Sequence, residues 1–343
     1  MRIAIVGGGL AGCAAAFELK RRGHEPVIYE SNPSIADGAS GNLTGLYNPR
    51  FGAEWTPQSQ YFSKAFTLAR DLFPTLGDID HDPTGCMHLI NDEKKVIRYS
   101  KMLKSWGWGD DDMRITSAQE TSDLCGVETE FEGLWLLHSG TVSPPKLCSA
   151  YIDGVEVHVN AQVDGLESLD ADIVILAAGP ALRAFEKTQS LGLGAVRGQV
   201  TMVKDTEQTA SMKTNICYSG YMTKAQNGMH MIGSTFQRWL DHTDLIEQDD
   251  VDNIERMVGA LPSFSGERFD IVSSRASVRT TARDHFPVVG QLDKKTFVTT
   301  AHGSHGILSS LMAAEILANM IEGKAQSVGD EVIAALSPDR FND

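Results

Sequence analysis

Hydrophobic and polar positions change their period several times along the chain, and each change marks an element. Arg2 to Gly7 is an apolar, β-branched run stopped by glycine, the pattern of a buried parallel strand. Ala14, Ala15, Ala16, Phe17 and Leu19 continue as a helix ending near Arg22-Gly23, and Glu25-Pro-Val-Ile-Tyr-Glu30 reads as a second short strand. Residues 58 to 73 gather Tyr61, Phe62, Ala65, Phe66, Leu68, Ala69, Leu72 and Phe73 on one broad face of an amphipathic helix. Cys86 to Ile90 and Gly133 to His138 read as strands, separated by a helical stretch around 92 to 105 and an acidic turn at Asp110-Asp111-Asp112.

Ser143-Pro144-Pro145 predicts a short helix with serine at the cap, and Val155 to Val159 alternates as a strand leading to Gln162-Val163. Asp172 to Gly179 is another buried parallel strand. Residues 196 to 203, 215 to 223 and 229 to 234 predict three strands of a meander, followed by a helix over 248 to 261. The chain then runs extended from Ile271 to Thr280, turns at 286 to 290, forms a strand over 296 to 301, and enters a helix to Ile321 through Gly303-Ser304-His305-Gly306. This order predicts an α/β fold in which a Rossmann-like domain (1–50, 143–190 and 270–343) is interleaved with an α+β substrate domain (51–142 and 191–269). The second domain is built on a mostly antiparallel sheet.

The junction of the first strand and helix carries the chemistry. Gly7, Gly9 and Gly12 have G-x-G-x-x-G spacing, so the backbone can turn tightly and approach a pyrophosphate, while Leu10 and Ala11 open a helix whose N–H groups are free. Glu30 follows Gly12 by eighteen positions, where a ribose 2′-hydroxyl needs an acceptor. An acid there disfavours a 2′-phosphate, leaving FAD or NAD. Residues 38 to 49, with Ser40, Gly41 and Asn42, are rich in small side chains that let backbone cover a flat ligand, and Gly179 ends a strand where backbone passes close to it. Gly303 to Gly306 offers a second helix start for an anion.

Composition narrows the partners. Among 343 residues, a net charge of −15 weighs against a nucleic-acid partner, because Lys and Arg must supply phosphate contacts. Lys20-Arg21-Arg22 and Lys94, Lys95, Arg98, Lys101 and Lys104 read as solvated helix faces; a basic strip requires Arg22, Lys94, Lys95, Arg98 and Lys101 to share the face of the active-site mouth. Cys13, Cys86, Cys125, Cys148 and Cys217 are scattered without C-x-x-C pairs. That spacing predicts no metal site and no disulfide framework, and suits a reducing compartment. No apolar run is long enough for a bilayer and no signal segment precedes the first strand, so the expectation is a cytoplasmic chain. Trp55, Trp106, Trp108 and Trp239 are assigned to packing.

The N-terminal glycines, Gly38-Ala-Ser-Gly-Asn42, Val278-Arg-Thr-Thr-Ala-Arg-Asp-His-Phe-Pro-Val-Val-Gly290 and Gly303-Ser-His-Gly306 together resemble the D-amino acid oxidase and glycine oxidase family of FAD enzymes over nearly the whole chain. Within it, Cys217-Tyr-Ser-Gly-Tyr221, Arg283-Asp-His-Phe-Pro287 and Ala334 to Arg340 are similar to the branch that modifies the wobble uridine of tRNA. The resemblance implies non-covalent FAD, held by Gly7, Gly9, Leu10, Ala11, Gly12, Glu30, Ser40, Gly41, Asn42, Val163, Gly179, Gly303, Ser304, His305, Gly306 and Ile307. It implies Arg279 as a bidentate carboxylate clamp with Tyr221 as a second donor, and Arg283, Asp284 and His285 as braces of the adjacent loop. The reaction it implies is oxidation of a carboxymethylamino C–N bond on tRNA, releasing glyoxylate; the alternative is a small amine or amino acid as substrate. Two departures accompany it: the bifunctional enzymes of that branch carry a methyltransferase half that this chain does not include, and the stretch from Tyr151 to Asp172 is short, so the local sheet is expected to be trimmed.

Overall fold

The computed structural model describes residues 1–341, so residues 342 and 343 of the expected C-terminal segment lie outside it. A six-stranded sheet runs in the order Val288–Gln291, Thr296–Thr300, Ile173–Leu176, Arg2–Val6, Glu25–Tyr29, Glu156–His158. Its pairs are parallel except the hairpin of 288–291 with 296–300. Helices Leu10–Arg21 and Gly306–Glu322 pack on each other, flanked by Pro144–Tyr151 and Pro57–Leu72. The helix over 306–322 is buried on most of its surface, which is why its sequence is apolar nearly all round.

Close packing at the first turn has a plain cause. A Cβ on Gly12 would collide with the Gly7 carbonyl, so helix and strand approach to a distance only glycine permits. Gly7 itself has φ +111° and lies against the backbone of Ala177 and Ala178, at the end of the neighbouring strand.

The second sheet has eight strands: Ile271–Thr281, Gly194–Lys204, Met229–Gly233, Tyr221–Met222, Asn215–Cys217, Cys86–Leu89, Gly133–Leu136, Met113–Thr116. Only the pair 215–217 with 86–89 is parallel, so the expected mostly antiparallel sheet is present. Helix Glu247–Ala260 is tied to its long strand by polar groups: Arg197 bonds Asp249 and Gln237, and the Thr201 hydroxyl donates to Asp250 at 2.6 Å. A guanidinium with no exposed surface costs too much to bury without such partners.

Four expectations change. Residues 215 to 223 form two short strands joined by a tight hairpin, with Tyr218 N–H donating to the Gly220 carbonyl at 2.9 Å, because Ser219-Gly220 turns the chain. Residues 271 to 281 belong to the second sheet, paired with 194–204 from Gly194↔Thr281 to Val203↔Ile271, so the boundary at 270 falls about ten residues early. Part of the turn at 286–290 is strand. Helix Pro57–Leu72, assigned by sequence to the substrate domain, packs on Gly306–Glu322 beside the six-stranded sheet. Strand Met113–Thr116 and helices Ala118–Cys125 and Asp330–Leu336 are additional elements. Among the described residues no helix is long and apolar enough to cross a membrane.

Candidate active site

A cavity of about 2110 Å³ runs from the first glycine turn to the face of the eight-stranded sheet. The helix over 10–21 opens into it: Gly9 and Ala11 line the wall, and Leu10 N–H donates to Ser40 Oγ at 2.9 Å. At the end of the second strand, Glu30 Oε2 accepts from Gly8 N–H at 2.6 Å and Oε1 from Asn32 N–H at 2.8 Å. The carboxylate is thereby fixed at the cavity wall. The loop over 38–42 is held by Arg275, which donates to the carbonyls of Asp37 and Gly38 at 2.7 and 2.5 Å and to Asn42 Oδ1 at 3.3 Å.

Every predicted site residue lines this cavity except Gly12 and Gly41. Gly12 serves the helix–strand contact. Gly41 serves Arg275, since a Cβ there would sit 2.7 Å from the guanidinium carbon.

Several buried polar atoms in the wall lack a protein partner: Arg279 Nη1, Thr280 Oγ1, Thr300 Oγ1 and Ser310 Oγ. A buried donor without an acceptor costs about 1–3 kcal/mol, so orphans facing one space are the signature of a polar ligand. With the open glycine turn, the fixed acid and a long cleft, the residues fit an FAD, which Gly9 and its neighbours in the turn would hold. Where bound, FAD supplies a hydride acceptor.

At the far end the strand over 271–281 presents Arg279. Its Nη2 donates to Ser234 Oγ at 2.9 Å, while Nη1 stays free. Burial lowers its pKa, opposed by the Tyr221 phenol nearby. Tyr221, on the hairpin's second strand, is pushed up to about 12 chiefly by burial, so it remains a protonated donor; its hydroxyl meets Met231 Sδ at 3.6 Å. Gly198, on the neighbouring strand, leaves room for the guanidinium. At the helix start over 303–306, His305 Nδ1 lies 3.4 Å from the Asn48 carbonyl and its ring meets Phe62 edge-on. Burial, then the Arg50 and Arg279 charges, lowers it to about 4, so it is a neutral imidazole at ordinary pH. His302 is likewise lowered to about 4 by burial, and both its nitrogens lie 2.9 Å from hydroxyls, those of Thr299 and Ser309.

Arg283, Asp284 and His285 do not line the cavity. Asp284 instead pairs with Arg340 at 2.8 Å, joining two segments that the sequence resemblance singled out. Sequence reasoning missed Arg50, Gly198, Ser234, Arg275 and His302, none of which sits in a recognisable motif; Gly198 and Arg275 lie on paired strands, and Arg50, Ser234 and His302 on loops that only the tertiary fold brings to the site. It also expected scattered cysteines. The fold instead brings Cys86 and Cys217 to 3.5 Å, beside His88, because strands distant in sequence lie side by side.

Fold, cavity and glycine turn fit a dinucleotide-dependent oxidoreductase, and the family match makes it a flavin-dependent one. The chain matches the family model "FAD dependent oxidoreductase" over residues 2–320 and belongs to that family. It is 27% identical, over 99% of its length, to the tRNA 5-methylaminomethyl-2-thiouridine biosynthesis bifunctional protein MnmC of Idiomarina loihiensis, and 26% identical to that of Shewanella denitrificans. It spans 58% and 56% of those proteins. The fold is that of glycine oxidase from Geobacillus kaustophilus (TM-score 0.84, 20% identity, 99% of both chains) and of L-proline dehydrogenase from P. horikoshii (TM-score 0.84, 14% identity, 99% and 97%).

Proposed function

We propose that this chain oxidises the C–N bond of a carboxymethylaminomethyl group on tRNA wobble uridine, releasing glyoxylate and leaving an aminomethyl group. The observation that carries the reading is the free Arg279 Nη1 beside Tyr221 at the cavity end remote from Gly9. A guanidinium with an unused donor in a closed site calls for a carboxylate. Arg279 and Tyr221 would hold that carboxylate so that the adjacent methylene faces the flavin, and a neutral His305 would add no positive charge against the cation that develops on the substrate C–N as hydride leaves. The substrate amine must be unprotonated, and water then hydrolyses the resulting C=N bond. The same reading has FAD held without a covalent link, and it is supported by the packing of His305, whose Nδ1 faces the Asn48 carbonyl and whose ring meets Phe62 edge-on.

Two findings support a tRNA partner: the likeness to tRNA-modifying relatives along the whole chain, and helix Glu93–Trp106, which exposes Lys94, Arg98, Lys101 and Lys104 with Arg98 at the cavity wall. The strip is narrower than the sequence suggested. Arg22 is engaged by Glu18 and Glu322, and Lys95 is buried against the carbonyls of Leu89 and Tyr218. The second reading, a small amine or amino acid, is favoured by the net charge of −15 and by the glycine oxidase fold. Nucleoside mass spectrometry of carboxymethylaminomethyl-bearing tRNA after incubation decides between them: conversion to the aminomethyl nucleoside supports the first, and unchanged tRNA with rapid turnover of a free amino acid supports the second.

A further inference from the structure

Cys86, His88 and Cys217 form a cluster that none of the chemistry above uses. Residues 86 and 88 lie on one face of their strand, two positions apart, and the parallel register sets Cys217 opposite His88. One ligand atom from each of the three lies within 4.8 Å of the others, and the two sulfurs, both free thiols, are 3.5 Å apart. Asn48 Nδ2 points at both sulfurs, at 3.4 and 3.5 Å, in an orientation fixed by the Ser139 hydroxyl on its Oδ1. His88 Nε2 is buried without a partner, and the rings of Phe51 and Tyr99 pack edge-on against the imidazole.

From this geometry we propose a zinc site with Cys86, His88 and Cys217 as its protein ligands. Tetrahedral zinc with Zn–S bonds of about 2.3 Å holds two thiolates about 3.8 Å apart, a few tenths of an ångström from the observed spacing. Two thiolates and a neutral imidazole balance a divalent charge, which a buried position demands. Binding breaks two S–H bonds and forms two Zn–S bonds, with both protons released to solvent. The Asn48 amide then donates to the thiolates, the outer-shell contact that orients and tunes such ligands. His88 and Cys217 line the cavity, so the fourth position opens toward it and takes water or an anionic or sulfur atom of a ligand.

The test uses reduced, FAD-loaded protein equilibrated with one equivalent of zinc and desalted. One zinc per chain is expected, with an X-ray absorption edge fitting two sulfurs at about 2.3 Å and one nitrogen at about 2.0 Å. Cys217→Ser should lose the metal, Asn48→Ala should weaken it about 10- to 100-fold, and Cys125→Ser should keep it, with flavin content reporting the fold of each. Wild-type protein that retains no zinc, an absorption fit to nitrogen and oxygen alone as for an adventitious ion only, or a Cys86–Cys217 disulfide in the unreduced protein would each overturn the assignment.

Discussion

Arg279 and Gly198 are paired by absence: a Cβ on Gly198 would stand 2.6 Å from Arg279 Nη2, so the guanidinium occupies the space that a side chain would fill. The two strands run antiparallel with Val196 opposite Arg279 and Gly198 opposite Ser277, which aims the arginine diagonally across its neighbour. Gly198→Ala should therefore displace the clamp without touching the flavin wall. KM should rise while flavin content holds, and loss of the flavin instead would contradict the geometry.

Arg279→Ala removes the carboxylate partner outright. Truncating one side of a buried, hydrogen-bonded charge pair costs about 2–5 kcal/mol, so kcat/KM should fall at least about thirtyfold with FAD still bound. Lys at 279 should recover little, because it keeps the charge but loses the fork. Wild-type steady-state kinetics in the Ala variant would move the clamp to another residue, with Arg50 the next cation on the cavity wall.

The glycines of the first turn separate by role. Gly9 meets only Ser40 Oγ, at 3.1 Å, on its cavity side, so Gly9→Val should abolish FAD binding while the apoprotein keeps its fold. Gly12→Val should lower thermal stability of the chain itself, because the branched group has no space between helix and strand. Circular dichroism and flavin content of the two variants check the distinction; equal losses of fold in both would merge the roles.

Acid should weaken the fold through His302 and His305. Both are held near 4 by burial, against 6.5 in the unfolded chain, so the unfolded state binds more protons between these values. Their contribution is complete above pH 6.5 and is lost progressively as pH falls toward 4. The thermal midpoint of the apoprotein should drop across that window, and less steeply for His302→Gln. An identical profile in the variant would assign the acid sensitivity elsewhere.

Binding of tRNA should weaken steeply with salt, since counterion release drives it. Arg98→Ala, which removes an exposed cation at the cavity wall, should lower affinity and reduce the log–log salt slope by about one. An unchanged slope would take the helix over 93–106 out of the interface.

How far the sequence could be read follows from how local each feature is. The strand, glycines, helix and acid of residues 2 to 30 form one contiguous unit, so their turn chemistry was legible, and so was the alternation that gave the long antiparallel strands. What stayed hidden depends on register between distant segments. Gly198 beside Arg279, Arg275 beneath the loop over 38–42 and Cys86 beside Cys217 are separated by dozens of positions in the chain. Gly41 looked like ligand cover because small residues cluster there, whereas its missing side chain makes room for Arg275. Lys95 looked like a surface charge by its neighbours' composition, yet its ammonium is satisfied by Leu89 O, Asn91 Oδ1 and Tyr218 O.

The most direct measurement is the anaerobic half-reaction: flavin absorbance of the purified protein mixed with tRNA bearing carboxymethylaminomethyluridine, and separately with glycine and a panel of D-amino acids. Oxidation of the wobble-uridine group predicts rapid bleaching with the modified tRNA, one glyoxylate per flavin reduced, and slow or no bleaching with the free amino acids. A flavin that stays oxidised in the presence of that tRNA but bleaches with a free amino acid would contradict it.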